Sequence, residues 1–249
     1  MQLRTIVRDA LPAGVRIPLR YAYNAWAGQL DAEVALLGTV LPLQRRAVDV
    51  GANFGLYAYA MSRKARAVEA FEPVPSCAAF VRRARLKRVR VHQVALSDRH
   101  GEGLIHVPVA RDSAISAGAS LEAPRGPCQA IPIRLATLDS FGFDDVDLVK
   151  IDVEGHELSV LRGAVETVER CRPNMIVEIE QRHLRDGLTM ADVFAYLCDL
   201  GYSGSFLAGG RLRPLREFSY EVHQRPHLDD VDDAAYINNF VFQPRRAVR

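Results

Sequence analysis

The chain has 249 residues, enough to bury the core of one α/β domain. Apolar residues make up 49% and charged residues 25%, a globular balance that excludes disordered and fibrous classes, and a net charge of +2 gives no ground by itself for nucleic-acid binding. The four cysteines, Cys77, Cys128, Cys171 and Cys198, include no C-x-x-C pair. That argues against a zinc site or a disulfide framework and suits the reduced thiols of a cytoplasmic protein.

Residues 1–42 predict one or two helices. Arg4, Arg8 and Arg16 interrupt the apolar runs, so no signal-peptide core is read there. No stretch approaches the ~20 apolar residues needed to cross a bilayer. Leu30, Val34, Leu37 and Val40 follow a near-helical spacing that Pro42 ends. With Trp26, Tyr21 and Tyr23, this segment is expected to form an apolar lid packed on the next domain, or else a wall of a substrate pocket. From Ala47 the pattern becomes strand–helix alternation. Strands are expected at 47–50, 67–71, 89–96, 148–152 and 175–180, and helices at 56–65, 75–88, 156–170 and 190–200. SGSFLAG and YINNFVF close the chain as two more strands. Repeated β-α-β units imply a mostly parallel sheet covered by helices on both faces, with an antiparallel hairpin at one edge. Residues 101–137, rich in Gly, Ser, Ala and Pro, interrupt the rhythm as a hairpin and a binding loop. The expected organisation is a helical lid over 1–42 and one cofactor-binding domain over 43–249.

The first strand ends VDVGANFG. In open α/β sheets ligands bind outside the carboxyl ends of the strands. Gly51 and Gly55 allow a tight turn and a close ligand approach. The run G-A-N-F-G fits the dinucleotide pattern G-x-G-x-x-G poorly, because Asn53 takes the place of the second glycine and Leu56 that of the third. An NAD-dependent enzyme is disfavoured for that reason. Asp49, two residues before Gly51, suits a ligand that brings a cation. The second strand ends FEP, and Glu72 stands where a carboxylate accepts both hydrogens of a ribose diol. The third strand ends ALSD, placing Leu96, Ser97 and Asp98 near an adenine edge. Asp49 alone reads as a turn or helix cap, and Glu72 alone as a surface carboxylate. On successive strand ends the order cation partner, ribose acid and adenine edge describes S-adenosylmethionine.

The stretch LVKIDVEGHELSVLRGA, 148–164, carries the second motif. Lys150 and Asp152 alternate with Val149 and Ile151, so they share one face of a central strand, where a charge must be paired or used. Asp152, Glu154, His156 and Glu157 crowd the strand end and the following helix start. A helix dipole explains Glu157 and Glu154 but not Lys150. VDVGANFG, FEPVPS, ALSD, TLDSF, VKIDVEGHELSVLRGA and RPNMIVEIE, in this order and spacing over 47–183, resemble the FkbM family of methyltransferases, with weaker agreement at INNFVF. The resemblance implies a Rossmann-like class I methyltransferase fold, with a seven-stranded, mostly parallel sheet whose last strand is antiparallel. It also implies S-adenosylmethionine as cofactor, and usually O-methylation of a sugar or polyketide hydroxyl. An alcohol must lose a proton to accept a methyl group, so a base is expected near it. Asp152 is the first choice; Glu154, Glu178 and His183 are the alternatives. Lys150 pairs with Asp152 or Glu178, either to position the base or as pure architecture. Asp152, Glu154 and Glu178 offer hard oxygens for a divalent ion, but no metal site is assigned.

FVRRARLKRVRVH, 80–92, reads as a helix with arginines on its outer face. It lacks interleaved aromatics, so nucleic-acid contact is not the first reading; an RNA methyltransferase is kept as an alternative on this run alone, and peripheral membrane contact stays open. DDVDD, 229–233, lacks the glycine and terminal Glu of a calcium loop and reads as a solvated acidic loop. The expected activity is S-adenosylmethionine-dependent O-methyl transfer to a small-molecule, sugar, glycolipid or polyketide-type acceptor. A non-catalytic cofactor-binding module is the competing class, and the intact KIDVEG block disfavours it. Both monomer and homodimer are compatible with the sequence.

Overall fold

The computed structural model describes residues 11–110, 113–114, 119–122, 127–230, 233 and 235–245. The start of the expected lid, stretches of the 101–137 insertion and part of the acidic run at 229–233 lie outside these residues. The N-terminal segment forms helix α1 (Ala13–Ala27) and, after a 3-10 turn at Ala32–Leu36, the short α2 (Leu37–Val40). Alternation follows as β1 (Arg46–Val50), α3 (Leu56–Ser62), β2 (Ala67–Phe71), α4 (Pro75–Ala84), β3 (Val89–His92) and β4 (Ala95–Leu96). The insertion holds β5 (Gly101–Ala110), β6 (Ser113–Ala114) and β7 (Cys128–Ala136). Next come β8 (Val146–Ile151), α5 (Glu157–Arg162), α6 (Val165–Cys171), β9 (Asn174–Glu178) and α7 (Met190–Asp199). The chain closes with β10 (Tyr202–Ala208), β11 (Arg211–Pro214), α8 (Tyr220–His223) and β12 (Asn239–Pro244).

The main sheet runs β3-β2-β1-β8-β9-β12-β10-β11. Its five strands from β3 to β9 are parallel, and β12 is antiparallel to both β9 and β10. Two expectations need correction. The sheet has eight strands rather than seven. The antiparallel β12 is not at the edge; it is inserted between β9 and β10, where Phe240, Val241 and Phe242 are wholly buried, and the antiparallel hairpin at the edge is β10–β11. The edge is β11, short and bearing exposed Arg211 and Arg213, which discourages further strand pairing.

Strand alternation sorts the core onto the two faces of the sheet. Val48, Val50, Val149, Ile151 and Val177 face one cluster with residues of α5, α6 and α7. Ala47, Leu148 and Ile176 face the other, with α2 and α3. The expected strand over 89–96 breaks after His92, since β4 leaves the main sheet to pair with β7 of the insertion hairpin. The expected helix over 156–170 divides at Gly163, where a Cβ would lie 1.9 Å from the Ser97 carbonyl oxygen. On α1, Ile17 is buried and the Tyr21 ring meets Tyr59 edge-on at 5.3 Å, but Trp26 stands in solvent with 84% exposure. The tryptophan that suggested a packed lid therefore contributes nothing to the core. In the basic run Val81 and Ala84 are buried while Arg82, Arg83 and Arg85 face outward. No helix among the described residues is long and apolar enough to cross a membrane, and no two of the four cysteines form a disulfide.

Candidate active site

The carboxyl ends of β1, β2 and β8 converge on one turn. Gly51 has φ +83°, and a Cβ there would sit 1.8 Å from the Asp152 carbonyl oxygen, so only glycine lets β1 turn this close to the end of β8. Asn53 follows in the left-handed region, which its short polar side chain tolerates. The Asn53 N–H donates to Glu72 Oε2 at 2.7 Å, and the Val74 N–H donates to Glu72 Oε1 at 2.7 Å. These two bonds fix the Glu72 carboxylate across the tip of β2. Gly55 sits just ahead of α3 and packs toward Val81, away from the strand ends.

Two clefts open at this turn. The larger, about 230 Å³, has apolar walls that include Phe71, Leu96 and Ile105 and polar walls that include Glu72, Glu154 and Glu178. Its roof includes Ala119 and Leu121 of the insertion. Ser120, between them, is held by a 2.6 Å hydrogen bond from its hydroxyl to the Glu154 carbonyl. The smaller cleft, about 160 Å³, is lined by Arg20, Asp49, Tyr57 and Lys150 among others. Gly51, Asn53 and Asp152 line both, so the two clefts meet at Asp152.

The charges here are buried and interdependent. Lys150 Nζ, fully buried, lies 3.4 Å from Asp152 Oδ2 and 3.6 Å from Glu178 Oε2, with the Tyr57 ring centre 5.1 Å away. Burial works against the lysine's charge, but Asp152, Glu178, Asp31 and Asp49 together outweigh it and raise its pKa. Burial and the neighbouring Asp152 push Glu178 well up, against the pull of Lys150. Burial pushes Asp49 up to about 7, with Lys150 opposing. Burial likewise pushes Glu72 up to about 7 against its two backbone donors. Asp49 Oδ2 is buried with no hydrogen-bond partner, an arrangement that costs free energy unless a ligand supplies a donor.

Other sequence-chosen residues lie off the clefts. Leu96 lines the larger one, but Ser97 and Asp98 do not. Ser97 is buried, with Oγ 2.9 Å from His156 Nε2 and donating to Asp98 Oδ1 at 3.2 Å. They turn away because β4 bends toward β7. His183 is also set back; its Nδ1 lies 2.5 Å from Glu154 Oε2, and that partner raises its pKa over the opposing effect of burial. Glu154, Glu180 and His183 bring ligand-type atoms within 4.8 Å of one another. Yet Glu180 already accepts from Arg182 Nε at 2.6 Å and from the Tyr236 hydroxyl, so a metal would have to displace an arginine. Sequence reasoning missed Arg20, Tyr57, Ile105 and Leu121. Arg20 and Tyr57 carry no motif, and the alternation of β5 marks Ile105 only as core.

The FkbM methyltransferase domain model matches residues 49–203, more than half of the chain. The chain belongs to the FkbM methyltransferase family. The family is one of methyltransferases, whose expected cofactor is S-adenosylmethionine. The residues present fit that cofactor: a buried carboxylate oxygen without a donor, a second carboxylate fixed at a strand tip, and apolar walls beside it. Among solved structures the chain is similar to the FkbM methyltransferase of Methylobacillus flagellatus KT, at 18% identity and a TM-score of 0.49, over 79% of this chain and 43% of that one. This FkbM chain thus spans less than half the length of that protein. It is also similar to a TehB-like SAM-dependent methyltransferase of Corynebacterium glutamicum, at 12% identity and a TM-score of 0.48, over 93% and 98% of the two chains. A third similar structure is an rRNA methylase of Streptococcus thermophilus, at 9% identity and a TM-score of 0.47, over 86% and 95%. No curated protein sequence matches the chain. Family membership rests on the domain match alone.

Proposed function

We propose that this FkbM methyltransferase methylates a hydroxyl oxygen of a small molecule, sugar, glycolipid or polyketide-type acceptor, with Asp152 as the general base. The observation that carries this reading is the position of Asp152 where the two clefts meet. When bound, S-adenosylmethionine supplies an electrophilic methyl group on a sulfonium centre. In this reading Glu72 accepts the ribose hydroxyls, Phe71 and Leu96 bound the base, and Asp49 takes the α-ammonium. The reacting centre then falls between the nucleoside and amino-acid subsites, beside Asp152. Asp152 accepts the acceptor's O–H proton as the oxygen takes the methyl group. Lys150 orients Asp152 through the 3.4 Å ion pair and holds Glu178 on its other side. Good alignment of the reactants supplies roughly 7–11 kcal/mol, and a positioned base adds about 10²–10⁴-fold. Ala119 and Leu121 add apolar lining to the larger cleft. A cytoplasmic setting suits four cysteines of which no two form a disulfide.

The test uses methyl-labelled S-adenosylmethionine with a panel of deoxysugar, glycolipid and polyketide hydroxyl acceptors, and product NMR to locate the label. The expected product is a methyl ether. Asp152→Asn is expected to lower turnover by about 10²–10⁴-fold while S-adenosylhomocysteine affinity changes far less. Label found only on nitrogen or carbon would sink the O-methyl reading. A variant that loses stability but not turnover would reduce Asp152 to architecture.

A further inference from the structure

The family match begins at residue 49, so it leaves α1 without a role. Yet α1 reaches the smaller cleft through Arg20. That cleft has two kinds of anionic wall, the buried Asp49 and the half-buried Asp152, and two cations, Lys150 and Arg20. Lys150 is wholly buried and committed to Asp152 and Glu178. Arg20 is different: it is exposed, its guanidinium carbon lies 5.9 Å from the Phe54 ring centre at the cleft wall, and no ion pair to a carboxylate is found for it among the described residues. The Tyr57 hydroxyl is buried in the same cleft without a partner in hydrogen-bond geometry, although Asp31 lies close enough to act on it. A cleft with an unpartnered acid oxygen at its base and an uncommitted guanidinium at its wall is suited to a zwitterion.

We propose that Arg20 of α1 closes the smaller cleft as the carboxylate-binding residue for the amino-acid end of the cofactor, opposite Asp49 as the ammonium partner. This rests on the cofactor reading. A guanidinium offers paired donors that match the two oxygens of a carboxylate. The Phe54 ring lies 5.9 Å from the guanidinium carbon, at the outer reach of a cation–π contact, and keeps Arg20 beside the cleft. Helix α1 is held in place by burial of Ile17 and by close approach of Gly14 to Ala84, where a Cβ would lie 2.8 Å from the carbonyl oxygen. The N-terminal helix thereby becomes part of the cofactor site rather than an appendage to it.

The test is calorimetric binding of S-adenosylhomocysteine and of its decarboxylated analogue, which keeps the amine, to the wild-type chain, Arg20→Ala and Arg20→Lys. Arg20→Ala is expected to weaken S-adenosylhomocysteine by about 10- to 100-fold and to leave the decarboxylated analogue nearly unchanged, as loss of a charge-assisted pair predicts. Arg20→Lys should recover part of the loss. Equal weakening of both ligands would mean that Arg20 only supports α1, and the proposal fails. Unchanged S-adenosylhomocysteine binding in Arg20→Ala also overturns it, while leaving the cofactor assignment intact. A wild-type chain that binds neither ligand overturns both.

Discussion

Asp49 is a carboxylate inside a buried strand, on the sheet face that it shares with Ala47. Its register partner on β8 is Lys150, whose attraction does not offset the burial that lifts Asp49 to about 7. Such a residue weakens the fold at high pH, where it must ionise without a donor on Oδ2. Asp49→Asn is therefore expected to stabilise the ligand-free protein at pH 8 by about 1–3 kcal/mol in urea unfolding. The same variant should bind S-adenosylhomocysteine more weakly, because an amide lacks the charge that complements an ammonium. A variant that is no more stable yet binds normally would show that Asp49 serves the turn alone. In the wild type, affinity should strengthen as pH rises through 7, since in the proposed reading Asp49 and Glu72 act on the cofactor in their ionised forms.

At the level of elements, β8 and β9 form the electrostatic spine. Every residue of β8 is buried, including a lysine that reaches Asp152 past its end and Glu178 on β9. Removing one partner of such a cluster leaves an uncompensated buried charge, a loss of about 3–5 kcal/mol. Lys150→Met is expected to lower unfolding stability on that scale. Adding Asp152→Asn should restore part of it, because the neutral amide no longer needs the cation. If the double variant is as unstable as the single one, the buried place of the lysine in β8 matters more than its pairing with Asp152. Lys150 was legible from the sequence as a charge out of place in a strand. Asp152 and Glu178 were legible as its alternative partners; that it takes both was not, since it depends on β8–β9 adjacency.

Across the whole molecule, three buried carboxylates, Asp49 within β1, Glu72 just after β2 and Glu157 at the start of α5, are each raised to about 7, burial being the first cause. A carboxyl group whose folded pKa exceeds its unfolded value contributes stability below the unfolded pKa and loses it as pH climbs through the folded one. The ligand-free protein should therefore be less stable at pH 8 than at pH 5, as thermal unfolding across that range would show. A fixed concentration of S-adenosylhomocysteine should narrow the difference, since binding that tightens above pH 7 stabilises the folded state more at pH 8 than at pH 5, by about 2.7 kcal/mol where the ligand is in hundredfold excess over Kd. A flat or rising profile in the ligand-free protein would mean that these groups are solvated as they titrate.

By itself, the sequence determined the succession of strands and helices, because burial imposes a period of two on strands and near 3.6 on helices. It also determined the family, because VDVGANFG, FEP and KIDVEG carry constraints local to a turn: Gly51 must lack a side chain, and Glu72 must stand within reach of Asn53. Only the tertiary structure decided which distant residues share the site. Ser97 and Asp98 turned away when β4 chose β7 as its partner, and Ile105 and Leu121 entered from an insertion with no motif. Arg20 came from a helix whose tryptophan had drawn attention for another reason. Local patterns report short-range sterics and burial, whereas convergence on a cleft depends on strand order and helix packing, which no single stretch of chain encodes.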